Sequence, residues 1–187
     1  MIPQLNPATS MLPLGRYGCT LAEVKAQYVH SSQFASSSTR AQIFSDLLAV
    51  KAMLDAMNLK LVERIWIGGS FVTGALDPDD IDCTFWINAE EFDALPSNSQ
   101  RNKLLNFNKK GRLRTTTNLR VEPFLVVRVP IANPWSKGGV SADATFYTSL
   151  RGAWDDWWQR VRSDPNKATL PIVQDAEPRR GYLEVSW

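Results

Sequence analysis

The stretch IWIGGSFVTGALDPDDIDCTFWI, residues 65–87, separates two apolar runs by glycines and aspartates. The runs LVERIWI and DIDCTFWI have the β-branched and aromatic content of buried strands, and the first ends at Gly68-Gly69. Four aspartates lie within the six positions 77–82. So much negative charge beside two buried strands predicts a functional site at the end of a sheet.

Asp80 and Asp82 are the first candidate site residues. Side chains alternate between the two faces of a strand, so both carboxylates are expected to point the same way. Two neighbouring carboxylates repel each other unless a cation lies between them. Because Mg²⁺ takes one or two carboxylates and completes its shell with water and substrate phosphates, the pair predicts a magnesium site for phosphoryl transfer. Asp77 and Asp79, beside Pro78, are instead predicted to be turn residues.

Gly68, Gly69 and Ser70 form the second candidate element. The segment SFVTG predicts a short helix that begins near Ser70. Free N–H groups at the start of a helix and the positive end of its dipole attract phosphate. Glycine lets the backbone approach a ligand closely, and the Ser70 hydroxyl adds a donor. The three residues are therefore predicted to bind nucleotide phosphates beside the magnesium site.

The charge along the chain is divided into an acidic block and a basic block. Residues 77–93 contain seven acids and no Lys or Arg, whereas residues 101–128 contain eight bases and one acid. This division predicts a site that holds both cations and an anion. The run KKGRLR, residues 109–114, is typical of a solvated loop. Within it, Lys109 and Lys110 are candidates for holding a triphosphate or an RNA acceptor.

The segments GGSFVTG and PDDID resemble the signature of the nucleotidyltransferase superfamily, whose members have a polymerase-β-like fold. Gly69-Ser70 is followed, after nine residues, by Asp80-Ile81-Asp82, in the order and at the spacing of that signature. The segments LPLGRYGCTLAEV and RRGYLEV further resemble a group of small bacterial and phage nucleotidyltransferase-like proteins. The wider likeness covers most of the chain, but only the core motif is specific.

The resemblance implies a Mg²⁺-dependent enzyme that moves an NMP from an NTP such as ATP to a hydroxyl group of a protein, an RNA or a small molecule. It implies two Mg²⁺ ions, which Mn²⁺ can replace, and a third carboxylate on a later strand. Glu122, in LRVEPFLV, is the candidate to join Asp80 and Asp82, although the family more often has Asp there. Small members of the superfamily include antitoxins that adenylylate a partner toxin and toxins that modify tRNA, so a toxin–antitoxin or phage-defence setting is expected by analogy.

The whole chain predicts an α+β domain with a small mixed sheet flanked by helices, and the resemblance makes its core polymerase-β-like. One domain is predicted over residues 1–187, with an irregular leader at 1–18, a catalytic core at 61–128 and a C-terminal helix and strand at 142–187. Helices are predicted over residues 20–29 (with a capping-box pattern at Thr20 and Glu23), 36–58, 90–107 (broken at Pro96) and 144–163. Strands are predicted over 61–67, 80–87, 118–129 (an edge strand, because of Pro123) and 180–187. An apolar stripe in the last helix predicts core packing rather than base stacking; it consists of Tyr147, Leu150, Trp154, Trp157, Trp158 and Val161.

Bulk properties narrow the class of protein. A hydrophobic fraction of 44% with 21% charged residues is typical of a soluble globular protein. The first residues lack the basic start and apolar core of a signal peptide, and no apolar run is long enough to cross a membrane, so no membrane partner is expected. Cys19 and Cys83 form neither a disulfide framework nor a metal-ligand spacing, which predicts a reducing, cytoplasmic location.

Two other functions stay open at this point. A catalytically inactive member would use the same fold to bind a nucleotide or a protein partner, and Glu122 in place of Asp is consistent with it. An RNA-binding module would use the basic segment, and its affinity would fall steeply with salt even after loss of both aspartates. The nucleotide preference, the acceptor and the oligomeric state leave no local motif.

Overall fold

A computed structural model of the chain describes residues 1–136, 138–164, 166 and 168–187. Within these residues, five strands form one sheet in the order β1-β5-β2-β3-β4. The strands are β1 Arg16–Cys19, β2 Val62–Gly68, β3 Ile81–Asn88, β4 Val121–Arg128 and β5 Tyr182–Ser186. The helices are α1 Leu21–Tyr28, α2 Arg40–Asp55, α3 Ala89–Asp93, α4 Asn98–Phe107, α5 Arg112–Thr117 and α6 Ala142–Gln159. Single 3₁₀ turns lie at Ser32–Phe34, Ser70–Val72 and Val173–Ala176.

The sheet contains both parallel and antiparallel pairs. The central strand β2 is antiparallel to its neighbours β3 and β5, while β4 runs parallel to β3 and β1 runs parallel to β5. The prediction of an α+β domain with a small mixed sheet flanked by helices is confirmed. The strand that contains Pro123 is β4, which lies at an edge, where a missing N–H interrupts no second ladder.

The helices begin where the sequence supplies capping groups. Thr20 and Glu23 form the predicted capping box of α1. The Glu23 N–H donates to Thr20 Oγ1 over 3.2 Å, and the Thr20 N–H donates to Glu23 Oε2 over 2.8 Å. Pro96 divides the predicted helix 90–107 into α3 and α4, and the Ser97 hydroxyl caps α4 by accepting a backbone N–H.

Three local predictions need correction. The leader 1–18 is not irregular to its end, because β1 begins at Arg16 and pairs with β5. The run 109–114 is not a loop throughout, because α5 begins at Arg112. The helix expected from Ser70 is only a three-residue 3₁₀ turn, since nearby carbonyl groups accept hydrogen bonds from Arg40 rather than from helical N–H groups.

Each face of the sheet packs in a separate apolar cluster. One cluster joins the sheet to α1, α2, α4 and α5, and the other joins it to α6. Ile81, Cys83 and Phe85 of β3 belong to the first cluster, whereas Trp86 belongs to the second. Because a strand has a period of two, Asp82 lies on the same face as Trp86, which is the face that α6 covers.

Four of the six residues of the predicted stripe belong to the apolar cluster on this face, and Val161 lies beyond the end of α6. Trp158 is 5% exposed, and its Nε1 donates to Thr84 Oγ1 over 2.9 Å. The partly buried members are Tyr147, Leu150 and Trp154. Trp157 differs, because 43% of its surface is exposed. At 18 residues α6 is the longest described helix, and neither it nor any other described helix is long and apolar enough to cross a membrane.

Candidate functional site

The register of the sheet aligns three of the predicted site residues. Asp82 of β3 pairs with Gly68 on β2 and with Glu122 on β4. Neighbouring strands are about 4.8 Å apart, and residues in register project to the same face. Asp82 and Glu122 are therefore neighbours on one face of the sheet, although 39 residues separate them along the chain.

Six of the predicted site residues line one cavity of about 540 Å³. These residues are Gly69, Ser70, Asp80, Asp82, Lys110 and Glu122. The volume lies within the range of small-molecule sites, about 300–1,000 Å³. Gly68 and Lys109 are not among the lining residues: Gly68 lies against the Trp158 ring, and Lys109 is exposed in the turn after α4.

Gly69 can only be glycine in this backbone. Its φ of 67° and ψ of −162° lie in a region that is essentially restricted to glycine. A Cβ at this position would lie 1.9 Å from Asp82 Oδ2. The Asp82 carboxylate thus occupies the space that a side chain at position 69 would need, so the two candidate elements are in direct contact.

Gly68 has a packing role instead. A Cβ there would lie 2.1 Å from Cε3 of Trp158. The indole of Trp158 is held over the end of β2 by this contact and by its hydrogen bond to Thr84. The missing side chain of Gly68 therefore allows α6 to form one wall of the cavity.

Ion pairs and side-chain hydrogen bonds fix the loop before Asp80. Asp79 forms ion pairs with Arg114 at 2.6 Å and with Arg120 at 3.5 Å. Asp77 accepts hydrogen bonds from Ser38, and the N–H of that residue is the main cause that lowers the Asp77 pKa. Asp77 and Asp79 have the structural role predicted for them, and they hold Asp80 at the entrance to β3.

Arg40 anchors the segment that links the glycines to the aspartates. Its side chain is 1% exposed and donates five hydrogen bonds to main-chain carbonyl groups. The acceptors are the carbonyls of Tyr28, Phe71, Thr73, Ala75 and Leu76. The guanidinium also lies 3.8 Å from the centroid of the Phe34 ring. One buried arginine thus organises the connection between Ser70 and Asp80.

Glu122 is oriented by the basic segment. The N–H of Gly111 donates to Glu122 Oε1 over 3.0 Å and to Oε2 over 3.2 Å. Lys110, the residue before this glycine, lines the cavity. Among the described residues, no group of three or more His, Cys, Asp and Glu lies close enough together to hold a metal ion. The carboxylates of Asp80, Asp82 and Glu122 therefore share a cavity without forming a closed set of three ligands.

Cys83 lies on the opposite face of β3 and is excluded as a nucleophile. Its side chain is fully buried. Burial raises the pKa of its thiol well above the ordinary value, and the charges of Asp82 and Asp80 raise it further. A thiol held in its protonated form is a poor nucleophile.

Arg180 is the most buried cation among the described residues of the cavity, and it was not predicted from the sequence. The residue is 9% exposed, and its Nη2 donates to the Gly69 carbonyl over 2.8 Å. Burial lowers the pKa of the guanidinium, while the nearby Asp82 carboxylate acts in the opposite direction. The sequence signal for it was the segment RRG, residues 179–181, before the last strand. This segment lies about a hundred residues from the aspartates along the chain.

The chain between α6 and β5 supplies further lining residues that were not predicted. They are Arg160, Val161, Arg162, Pro171 and Asp175; Thr73, Phe124, Trp157 and Trp158 complete the lining. Asp175 is 4% exposed and accepts the N–H groups of Ser163 and Ile172. Hydrogen bonds from the Ser163 hydroxyl and from these N–H groups lower the Asp175 pKa. The ionised, buried Asp175 carboxylate therefore connects the backbone at Ser163 with the backbone at Ile172 in this wall of the cavity.

The comparisons with known proteins place the chain in a family. The model of a family of unknown function, DUF6932, matches residues 3–186, so the chain belongs to that family. No curated protein matches the chain, and no solved structure matches it. Because the description of the family assigns no activity, the chemistry of the cavity has to indicate the function.

Proposed function

We propose that this member of DUF6932 is a Mg²⁺-dependent nucleotidyltransferase with a polymerase-β-like core, which moves an NMP from an NTP to a hydroxyl group. The observation that carries the proposal is the convergence of Gly69, Ser70, Asp80, Asp82 and Glu122 on one cavity. The motif resemblance depends on local sequence alone. The convergence of the glycine turn, the aspartate pair and a glutamate from a third strand is independent support for it.

The donor set suits Mg²⁺. All the candidate ligands are carboxylate oxygens, which are the ligands that this hard cation prefers. Asp80 and Asp82 would hold the metal, with Glu122 as the third carboxylate. Mg²⁺ needs only one or two protein carboxylates when water and substrate phosphates complete its shell, so the lack of a closed three-ligand group is compatible with binding. When bound, the metal supplies neutralisation of the charge on the transferring phosphoryl group.

The charge of the cavity fits a magnesium–nucleotide complex. Among the described residues, four acids line it (Asp80, Asp82, Glu122 and Asp175), as do four bases (Lys110, Arg160, Arg162 and Arg180). The formal charges of these eight residues therefore balance. A nucleotide whose phosphates arrive with divalent cations leaves the balance unchanged, whereas a free triphosphate would add uncompensated negative charge.

The residues of the cavity have distinct roles in this proposal. Gly69 and Ser70 would bind the phosphate chain through the backbone and the hydroxyl, because a three-residue 3₁₀ turn has too small a dipole to do so by itself. Glu122, oriented by the Gly111 N–H, would accept the proton of the attacking acceptor hydroxyl. Trp157 would cover the bound nucleotide from the α6 side and exclude water. Positioning of the two reactants would provide much of the rate enhancement.

The test is calorimetric titration with ATP, GTP, CTP and UTP, each with and without Mg²⁺. The wild type is compared with the double variant Asp80→Asn/Asp82→Asn. The matched control is Glu90→Gln/Asp93→Asn, which removes two charges from exposed residues of α3. We expect metal-dependent binding of at least one nucleotide that is lost in the aspartate variant and retained in the control. Absence of binding to all four nucleotides in the wild type would refute the proposal.

A catalytically inactive nucleotide-binding module is the second candidate. The observation that favours it is the lack of a closed three-carboxylate group among the described residues. The two candidates differ in turnover: the enzyme releases pyrophosphate from the bound nucleotide when an acceptor is present, and the module does not. Pyrophosphate release in a screen of protein, RNA and small-molecule hydroxyl acceptors, lost in Asp82→Asn, would exclude the module.

A further inference from the structure

Two guanidinium groups in the cavity have buried N–H donors without an acceptor. In the part of the chain that the structure describes, the Nε atoms of Arg160 and Arg180 are buried and have no hydrogen-bond partner. Both arginines line the cavity that contains Asp80 and Asp82. The other buried polar atoms without a partner belong to residues outside this cavity; they are in Tyr28, Ser31, Trp86 and Gln100. The two Nε–H donors that lack an acceptor thus belong to residues of the candidate site.

A buried cationic donor that lacks an acceptor is unfavourable, because it has lost water without gaining a partner. Native proteins keep very few such groups, so two of them in one cavity call for a ligand that supplies acceptors. Arg180 is 9% exposed, and the one hydrogen bond that its side chain donates to the described residues uses Nη2. Its Nε–H therefore stays available for a ligand.

The fold holds the two arginines close to each other. The N–H of Arg180 donates to the carbonyl of Gln159 over 3.1 Å, and Gln159 directly precedes Arg160. The residue after Arg180 is Gly181, where a Cβ would lie 2.2 Å from the Pro13 carbonyl oxygen, so the backbone there is tightly enclosed. Arg160 forms an ion pair with Asp156 on the last turn of α6. The backbone contact with Gln159 therefore holds Arg180 near Arg160, and the ion pair with Asp156 holds the Arg160 side chain.

An oxyanion is the ligand that these donors match. The planar guanidinium presents its N–H groups as a fork that fits phosphate oxygens. Arg180 also donates to the Gly69 carbonyl, which places its guanidinium beside the glycine turn that the Asp82 carboxylate contacts. We propose that Arg160 and Arg180 form a clamp that binds the phosphate chain of the nucleotide. This inference deepens the proposed nucleotidyltransferase function and rests on it.

Calorimetric titration of the full chain tests the clamp, with Mg²⁺ present and three probes: ATP, inorganic tripolyphosphate and adenosine. The variants are Arg160→Gln, Arg180→Gln and Arg180→Lys. The control is Arg179→Gln, an exposed neighbour that pairs with Glu177. We expect Arg160→Gln and Arg180→Gln to weaken ATP and tripolyphosphate binding by about 10- to 100-fold. Binding of adenosine stays as in wild type, and Arg180→Lys recovers part of the loss because it keeps the charge without the fork.

The outcomes separate the clamp from the proposed function. Wild-type binding of ATP that depends on the aspartates but is equal in all arginine variants overturns the clamp and leaves the proposed function standing. Binding of tripolyphosphate that depends on both arginines, with no binding of any nucleotide, supports an oxyanion clamp and overturns the nucleotidyltransferase proposal. Should Arg180→Gln fail to fold, Arg160→Gln and Arg180→Lys decide, and unchanged tripolyphosphate binding in both overturns the clamp.

Discussion

Replacement of Arg40 by methionine is expected to destabilise the protein by about 3–5 kcal/mol. The side chain of Arg40 is enclosed, and its five hydrogen bonds all go to main-chain carbonyl groups. Burial lowers its pKa to about 10, so the group is still charged at neutral pH. Methionine keeps most of the length and the apolar stem but removes every donor. The substitution therefore isolates the contribution of the guanidinium.

The magnitude follows from where the carbonyl groups lie. The bonds to the carbonyls of Tyr28 and Phe71 are in fully buried surroundings. Hydrogen bonds to charged groups contribute about 1.5–3 kcal/mol each, so these two set a loss of about 3–6 kcal/mol. The other three carbonyls are partly buried, and water can replace much of their loss. Removal of the buried charge returns part of its desolvation cost, which gives the net expectation of about 3–5 kcal/mol.

Urea unfolding followed by tryptophan fluorescence measures this change, because the chain contains seven Trp residues. Arg40→Lys should lie between wild type and Arg40→Met, since an ammonium group has three donors and cannot reproduce the planar fork. Arg112→Met, an exposed position on α5, is the control and should stay within about 0.5 kcal/mol of wild type. If Arg40→Met unfolds within about 1 kcal/mol of wild type, the buried hydrogen bonds do not organise the segment as argued.

Three further predictions concern the cavity and the core. Gly69→Ala should abolish nucleotide binding, because its Cβ would lie 1.9 Å from Asp82 Oδ2 in a backbone conformation that excludes side chains; binding equal to wild type in the titration above would contradict the geometry. Trp158→Phe should cost about 1–3 kcal/mol in urea unfolding, since it leaves the buried hydroxyl of Thr84 without its donor; the conclusion fails if the midpoint is unchanged. Stability should fall as the pH rises above 9, by up to about 1.4 kcal/mol per pH unit from Cys19. Burial raises the pKa of this thiol from 9.0 to about 12, so the unfolded chain loses the proton first; urea unfolding from pH 8 to 10.5 should show a shallower fall in Cys19→Ala.

Several features of this protein could be read from local sequence because they depend on neighbouring residues. The capping box of Thr20 and Glu23 joins residues three apart, and the helix periodicity that predicted α2 repeats within one segment. The two-residue period of a strand predicted that Asp80 and Asp82 face the same way; β3 begins only at Ile81, yet both aspartates line the cavity. Local sequence therefore sufficed to name the aspartates and the glycines as candidates, although the helix expected after the glycines is only a single turn.

Tertiary structure decided what lies opposite those residues. Glu122 pairs with Asp82 because β4 joins β3 in one particular register, and no signal within either segment specifies that register. Arg160 and Arg180 reach the cavity only because the chain after α6 returns to place β5 beside β2. Arg40 replaced the expected helix after Ser70 by a single turn, through carbonyl contacts made from a distant helix. Contacts between residues far apart in the chain depend on the path of the whole backbone, so Asp80, Asp82 and Lys110 could be named from the sequence, whereas Arg160, Asp175 and Arg180 were found only in the fold.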